Sequence, residues 1–275
     1  MRHLMRGWTI SLLLFVGFAT AAYAQEKQAP PQGDPPKPFQ SPHRTEYQLS
    51  NGLKVTVVPY GLIPKVNMEL AVRGGAIAAP KGQSAVASLL VKLLKEGTAT
   101  RSAEDVANQA ALLGGNVTAI AGSDEILIHI DGLSDGASRM LDLLADVSLH
   151  PKFPESELQR LKDDQLRANS ISRARPQTIA SEQFHRILYG DTGYGRLLPD
   201  DADVKGETVE QIRSYYQEYF VPSNAHLFIA GQFSGDLRKR IEAAFGSWKC
   251  GAAPAVPELN AAVNPTRELI ARHLE

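Results

Sequence analysis

Residues 82–98 read GQSAVASLLVKLLKEGT. Ala85, Val86, Leu89, Leu90, Leu93 and Leu94 recur at the spacing of one helical face. The spacing predicts a helix over about 83–95, closed by Gly97. Burying such a stripe contributes on the order of 1.5–3 kcal/mol per large side chain. Ser88, Val91, Lys92 and Lys95 fall on the other face. The stretch is a core helix, and its neighbours decide what fold it serves.

Upstream, TEYQLSNGLKVTVVP alternates apolar and polar residues on both sides of Asn51-Gly52, the pattern of a tight β-hairpin. VNMELAVRGG reads as a third strand ending in glycines. Downstream, Ser102 with Asp105 three residues on predicts a capped second helix, apolar through Val106, Ala110 and Leu113 and stopped by Gly114-Gly115. NVTAIAG and EILIHIDGL read as two strands joined at Gly122-Ser123-Asp124. Helices follow over about 134–148, 154–172 and 177–188, separated by Pro151 and Pro176. Residues 189–206 read as a long loop, TVEQIRSYYQEYF as a helix capped by Thr208, AHLFIAG as a strand, and GDLRKRIEAAFGSW as the last helix. Hairpins mixed with helices, outside a regular βαβ alternation, predict an α+β fold. Its sheet is expected to be mainly antiparallel, with the helices packed on one face.

The chain's ends differ from this body. Arg2, His3 and Arg6 precede an apolar run from Trp8 to Ala22, and Ala22-Tyr23-Ala24 is a small-x-small cleavage pattern. Residues 1–24 are therefore read as a secretory signal peptide, cleaved after Ala24, with the alternative of an uncleaved N-terminal anchor. Periplasmic or secreted localisation follows, with no membrane span in the mature chain. Residues 25–43 are a Pro-rich linker, 44–250 the folded domain, and 251–275 a C-terminal linker or tail. Net charge is −1 and no basic run is interleaved with aromatics, so nothing points to nucleic acid. Cys250, the one cysteine, has no partner for an internal disulfide.

The segments NGLKVTVVP, GQSAVASLLVKLLKEGT, ALLGGNVTA, LLADVSLHPKFPESELQRLKDD, YGRLLP, YYQEYFVPSNAHLFIAG and AAFGSW, in this order, resemble the N-terminal domain of the pitrilysin/insulinase (M16) peptidases, the family of the mitochondrial processing peptidase. The resemblance implies the LuxS/processing-peptidase-like metallohydrolase fold. Active members carry His-x-x-Glu-His on a helix: two histidines one turn apart bind zinc, and the Glu activates the zinc-bound water. A Glu from a later helix is the third ligand. Counting back from Gly97-Thr98, the two His positions fall on Ser88 and Lys92, and the base position on Val91. The third ligand falls near Ala168, with Arg167 and Asn169 beside it. None of the four roles is filled. Serine is a poor zinc ligand, valine has no lone pair, and an ammonium repels a dication.

No metal site and no cofactor are therefore expected here, with zinc only in an active partner. The seven histidines show no metal-ligand spacing. His129 and Asp131 read as a polar strand face, and His150 as a helix C-terminal residue. Asp163-Asp164 and Asp200-Asp201 read as solvated charges. GLSDG, between a strand and a helix cap, has no matched His and Asp.

By resemblance, the chain is expected to be a non-catalytic homologue. Paired with a zinc-bearing relative as a heterodimer, it helps enclose an unfolded peptide. Family members usually carry a second such domain, with the inactive subunit's substrate-binding Arg and Tyr; that domain is expected to be absent here. The alternatives are a shortened, non-functional half-subunit, a free-standing peptide-binding module with an exposed sheet edge, and an active zinc metalloendopeptidase, against which the four positions argue.

Overall fold

The computed structural model describes residues 40–233 and 235–255, with Gly33 and Pro38. The expected signal peptide, most of the Pro-rich linker and residues 256–275 lie outside the described residues.

The hairpin forms as its turn chemistry dictates. Strands β1 (Thr45–Gln48) and β2 (Lys54–Pro59) pair antiparallel. Gly52 takes the positive φ of 99° that the turn needs. Asn51 is buried: its Oδ1 accepts from the Leu53 amide at 3.1 Å, and its Nδ2 donates to the Phe245 carbonyl at 2.8 Å. One side chain thus closes the turn and ties it to the last helix.

Strand β3 (Lys65–Arg73) alternates with period two: Val66, Met68, Leu70 and Val72 face the core, while Asn67, Glu69 and Arg73 face outward. After a 3₁₀ turn at Gly75–Ala78 come α1 (Val86–Leu93), α2 (Ala103–Leu112), β4 (Val117–Ala121) and β5 (Glu125–Leu133). Then come α3 (Ala137–Leu149), α4 (Glu155–Arg173), α5 (Pro176–Tyr189), α6 (Asp201–Gly206), α7 (Val209–Tyr219), β6 (Ala225–Gly231) and α8 (Leu237–Phe245). The strand order is β1-β2-β6-β3-β5-β4. Every pair is antiparallel except β2–β6. The expected α+β fold is present, with a sheet that is mainly antiparallel and one parallel pair created when β6 inserts between β2 and β3. Helices α1 and α3 pack onto the sheet, and Ile126, Ile128, Ile130, Leu227 and Ile229 meet them from below, fully buried.

Three local expectations need correction. Helix α1 is shorter than 83–95: Gln83 closes a turn onto Pro80, and no side chain caps Ala85. Residues 134–136 form a 3₁₀ turn before α3 starts. The long loop of 189–206 contains α6, whose start at Asp200 is pinned by the Asp200 amide donating to Ser84 Oγ at 2.9 Å.

Candidate functional site

Helix α1 packs against β4, α4 and α7. Leu89, Leu90, Leu93 and Leu94 have no exposed surface, so the predicted stripe is core. Val91 joins them at 6% exposure, a correction to its expected place on the outer face. At the position where the resemblance expects a general base, an isopropyl group packs into the interior.

Ser88 and Lys92 remain on the half-buried side, one helical turn apart. Ser88 Oγ donates back to the Ala85 carbonyl at 2.9 Å. Lys92 Nζ reaches across to α4 and donates to Gln165 Oε1 at 2.8 Å. Burial lowers the Lys92 pKa below the usual lysine value; the Asp164 carboxylate partly opposes this, and Lys95 adds to it. Ala168 lies on α4 three residues past Gln165 and is exposed. Helices α1 and α4 come together at Gln165 rather than near Ala168, a correction to the expected position, and the pair that meets is an ammonium and a carboxamide.

The amide orientation of Gln165 is held from behind. Its Nε2 donates to Asn169 Oδ1 at 2.9 Å. Asn169, with no exposed surface, donates to the Pro199 carbonyl at 3.0 Å and to Asp201 Oδ1 at 2.8 Å. Asp201 also accepts from Arg173 Nη1 at 2.9 Å. These hydrogen bonds lower the Asp201 pKa, Asn169 first. Asp201 is therefore engaged, against the expectation of a solvated charge. Asp164 matches that expectation better: it is part-exposed and paired with Arg167 at 3.2 Å.

Beside Ser88 lies a cavity of about 100 Å³, lined by Ser84, Ala87, Ala121 and residues 196–199. Ala121 is the last residue of β4, which among the described residues lies at the edge of the sheet and pairs with β5 alone. The cavity's outer wall is the loop before α6. Gly193 lets this loop lie against the 3₁₀ turn, because a Cβ there would stand 2.3 Å from Ile77 Cα. The Tyr194 hydroxyl bonds Asp124, and His185 Nδ1 lies 3.0 Å from the Tyr194 carbonyl oxygen. Arg196 pairs with Asp191 at 2.9 Å.

The donor chemistry of Ser88, Val91, Lys92 and Ala168 does not fit a zinc ion. A hydroxyl turned onto its own helix, a buried isopropyl, an ammonium and a methyl group offer neither two imidazoles nor a carboxylate. Among the described residues, no three of His, Cys, Asp and Glu gather in a way that suits a metal. His129 Nδ1 lies 3.9 Å from Glu69 across β5 and β3, on the sheet's outward face. His150 ends α3, 3.5 Å from Asp146. The sequence does not show Asn169 as the residue that holds Gln165, nor does it show the cavity. Both depend on contacts between segments far apart in the chain.

The family model described as Insulinase (Peptidase family M16) matches residues 62–201, and that described as Peptidase M16 inactive domain matches residues 207–275. Similar proteins include an uncharacterized zinc protease, YmxG, of Bacillus subtilis, 23% identical over 74% of this chain and 50% of that protein. Mitochondrial-processing peptidase subunit alpha of Solanum tuberosum is 27% identical over 69% of this chain and 37% of that subunit. A crystal structure of a peptidase M16 inactive domain from Pseudomonas fluorescens superimposes with a TM-score of 0.73, at 23% identity, over 78% of this chain and 53% of that one. The chain thus spans about half the length, or less, of the relatives it matches.

Proposed function

Because the chain belongs to the insulinase family, peptidase family M16, we propose that it is an exported, non-catalytic member that binds unfolded peptide segments and works beside a zinc-bearing relative. One observation carries the reading. The helix that places the family's metal keeps its whole apolar stripe, yet its cleft side offers Ser88, held by its own backbone, and Lys92, held by Gln165. Stability alone explains the stripe. The preformed cavity, beside an edge of β4 that is unpaired among the described residues, is what a peptide-binding surface requires. An extended peptide that adds to β4 gains main-chain hydrogen bonds whatever its sequence, and the cavity at Ala121 receives one of its side chains.

Export, to the periplasm or out of the cell, is supported by the signal-like residues 1–24. No helix of the described residues is long and apolar enough to cross a membrane. Partnership with a zinc-bearing relative is supported by family membership and by relatives named as subunits of a processing peptidase. In such an assembly this chain supplies surface and orientation, and the partner supplies the metal and the activated water.

The test uses protein beginning at Gln25 and a fluorescent unfolded peptide, in parallel samples with and without chelator. The peptide is expected to bind and to remain intact. The same peptide N-methylated at alternate residues is expected to bind at least tenfold more weakly, because strand addition is blocked. Chelator-sensitive cleavage by a contaminant-free preparation, or equal binding of both peptides, contradicts the reading.

A further inference from the structure

The half-buried side of α1 holds Lys92, which makes no ion pair among the described residues; Asp164 acts on it from a longer distance. Lys92 Nζ has three donors, and among the described residues one of them finds a protein acceptor, the neutral Gln165 oxygen. The nearby carboxylates are committed elsewhere. Asp164 lies 3.2 Å from Arg167 and 3.5 Å from Arg160, and Glu96 lies 2.7 Å from Arg160. Lys95, exposed one turn further along, adds positive charge. The Gln165–Asn169–Asp201 chain fixes the carboxamide oxygen toward the ammonium, so Lys92 is positioned rather than loose. Four residues before it, about 6 Å along the axis, Ser88 opens onto the cavity where β4 ends.

We propose that Lys92 is a peptide-anchoring residue that binds a carboxylate of the chain lying along β4. The inference rests on the peptide-binding reading above and adds its ligand chemistry. A carboxylate suits the site better than a neutral carbonyl, because charge-assisted hydrogen bonds are roughly twice as strong as neutral ones. It also returns to a half-buried ammonium the charge that Gln165 cannot give. Burial disfavours the charged form of Lys92, and an arriving carboxylate restores it. The carboxylate has two sources with the same chemistry: the peptide's C-terminus or an Asp or Glu side chain.

Three fluorescent peptides of one apolar and serine-rich sequence separate them: a free C-terminal acid, a C-terminal amide carrying one Glu, and a C-terminal amide with no acid. Binding is followed by anisotropy with the chain from Gln25 onward. At least one acid-bearing peptide is expected to bind about tenfold more tightly than the neutral one, equivalent to about 1.4 kcal/mol. The peptide that shows the gain identifies the source. Lys92→Met is expected to abolish the preference for the acid-bearing peptides over the neutral one, and Lys92→Arg to keep most of it. An unchanged melting temperature shows that the Met variant is folded. Equal binding of all three peptides, or a preference that survives in Lys92→Met, overturns the carboxylate assignment alone. Binding of none overturns the peptide-binding reading, and this inference with it.

Discussion

Glu207 follows the C-terminal end of α6 and is 1% exposed, and neither carboxylate oxygen has a hydrogen-bond partner among the described residues. Lys162 is near, but its Nζ donates to the Lys205 carbonyl at 2.9 Å. Burial raises the Glu207 pKa from 4.5 to about 7; Asp203 adds to the rise and Lys162 opposes it. The folded chain therefore holds this proton near neutrality while the unfolded chain has released it. Between 4.5 and about 7 the native state binds more protons, so stability falls as pH rises, and above about 7 this contribution is flat. At ~1.4 kcal/mol per pH unit the rise is worth about 3 kcal/mol. Glu207→Gln removes the titration and keeps the shape. Urea unfolding of both proteins at pH 5, 6, 7 and 8 isolates the effect, because other groups cancel in the difference. The variant is expected to gain relative to the parent as pH rises, approaching about 3 kcal/mol by pH 8. For a domain near 200 residues this corresponds to a melting shift of roughly 6–12 °C. A difference that does not change with pH shows that Glu207 is ionised and paired in the folded state, which refutes the reasoning.

Two further substitutions test the fold. Asn51→Ala removes the side chain that bonds the Leu53 amide and the Phe245 carbonyl; the Phe245 carbonyl still accepts from the Trp248 amide, but the buried Leu53 amide loses this acceptor, so about 1–3 kcal/mol should be lost in urea unfolding. Ser102→Ala removes an N-cap whose hydroxyl accepts from the Asp105 amide at 3.1 Å while Asp105 Oδ2 accepts from the Ser102 amide; the expected cost is about 1 kcal/mol, with peptide binding unaffected.

What was legible in the sequence is what local chemistry determines. Asn51-Gly52, the Ser102–Asp105 box and the Thr208 cap each act within four residues, and each appears as read. The apolar stripe of α1 was visible because its period is that of a helix. Val91 misled because periodicity assigns a face but cannot say how far a neighbouring helix reaches around it. The parallel pairing of β2 with β6 joins segments some 170 residues apart, such as Thr56 and Phe228, and leaves no trace in either strand's pattern. Helix α6 was hidden in a loop because its start depends on Ser84, more than a hundred residues away. At the candidate site, the residue types at Ser88, Lys92 and Ala168 were readable. The hydrogen bonds that position Lys92 were not, since they run through Gln165, Asn169 and Asp201 on two separate helices.

The central claim is that the helix has kept its structural duty and lost the metal. The most direct measurement is the zinc content of the purified chain, from Gln25 onward, after incubation with excess zinc and removal of the unbound ion. The account predicts well under one zinc per chain and the same melting temperature with zinc as with chelator. A specific zinc site filled far above its dissociation constant would add several kcal/mol to stability. One tightly bound zinc per chain, with a melting temperature that rises accordingly, would contradict it.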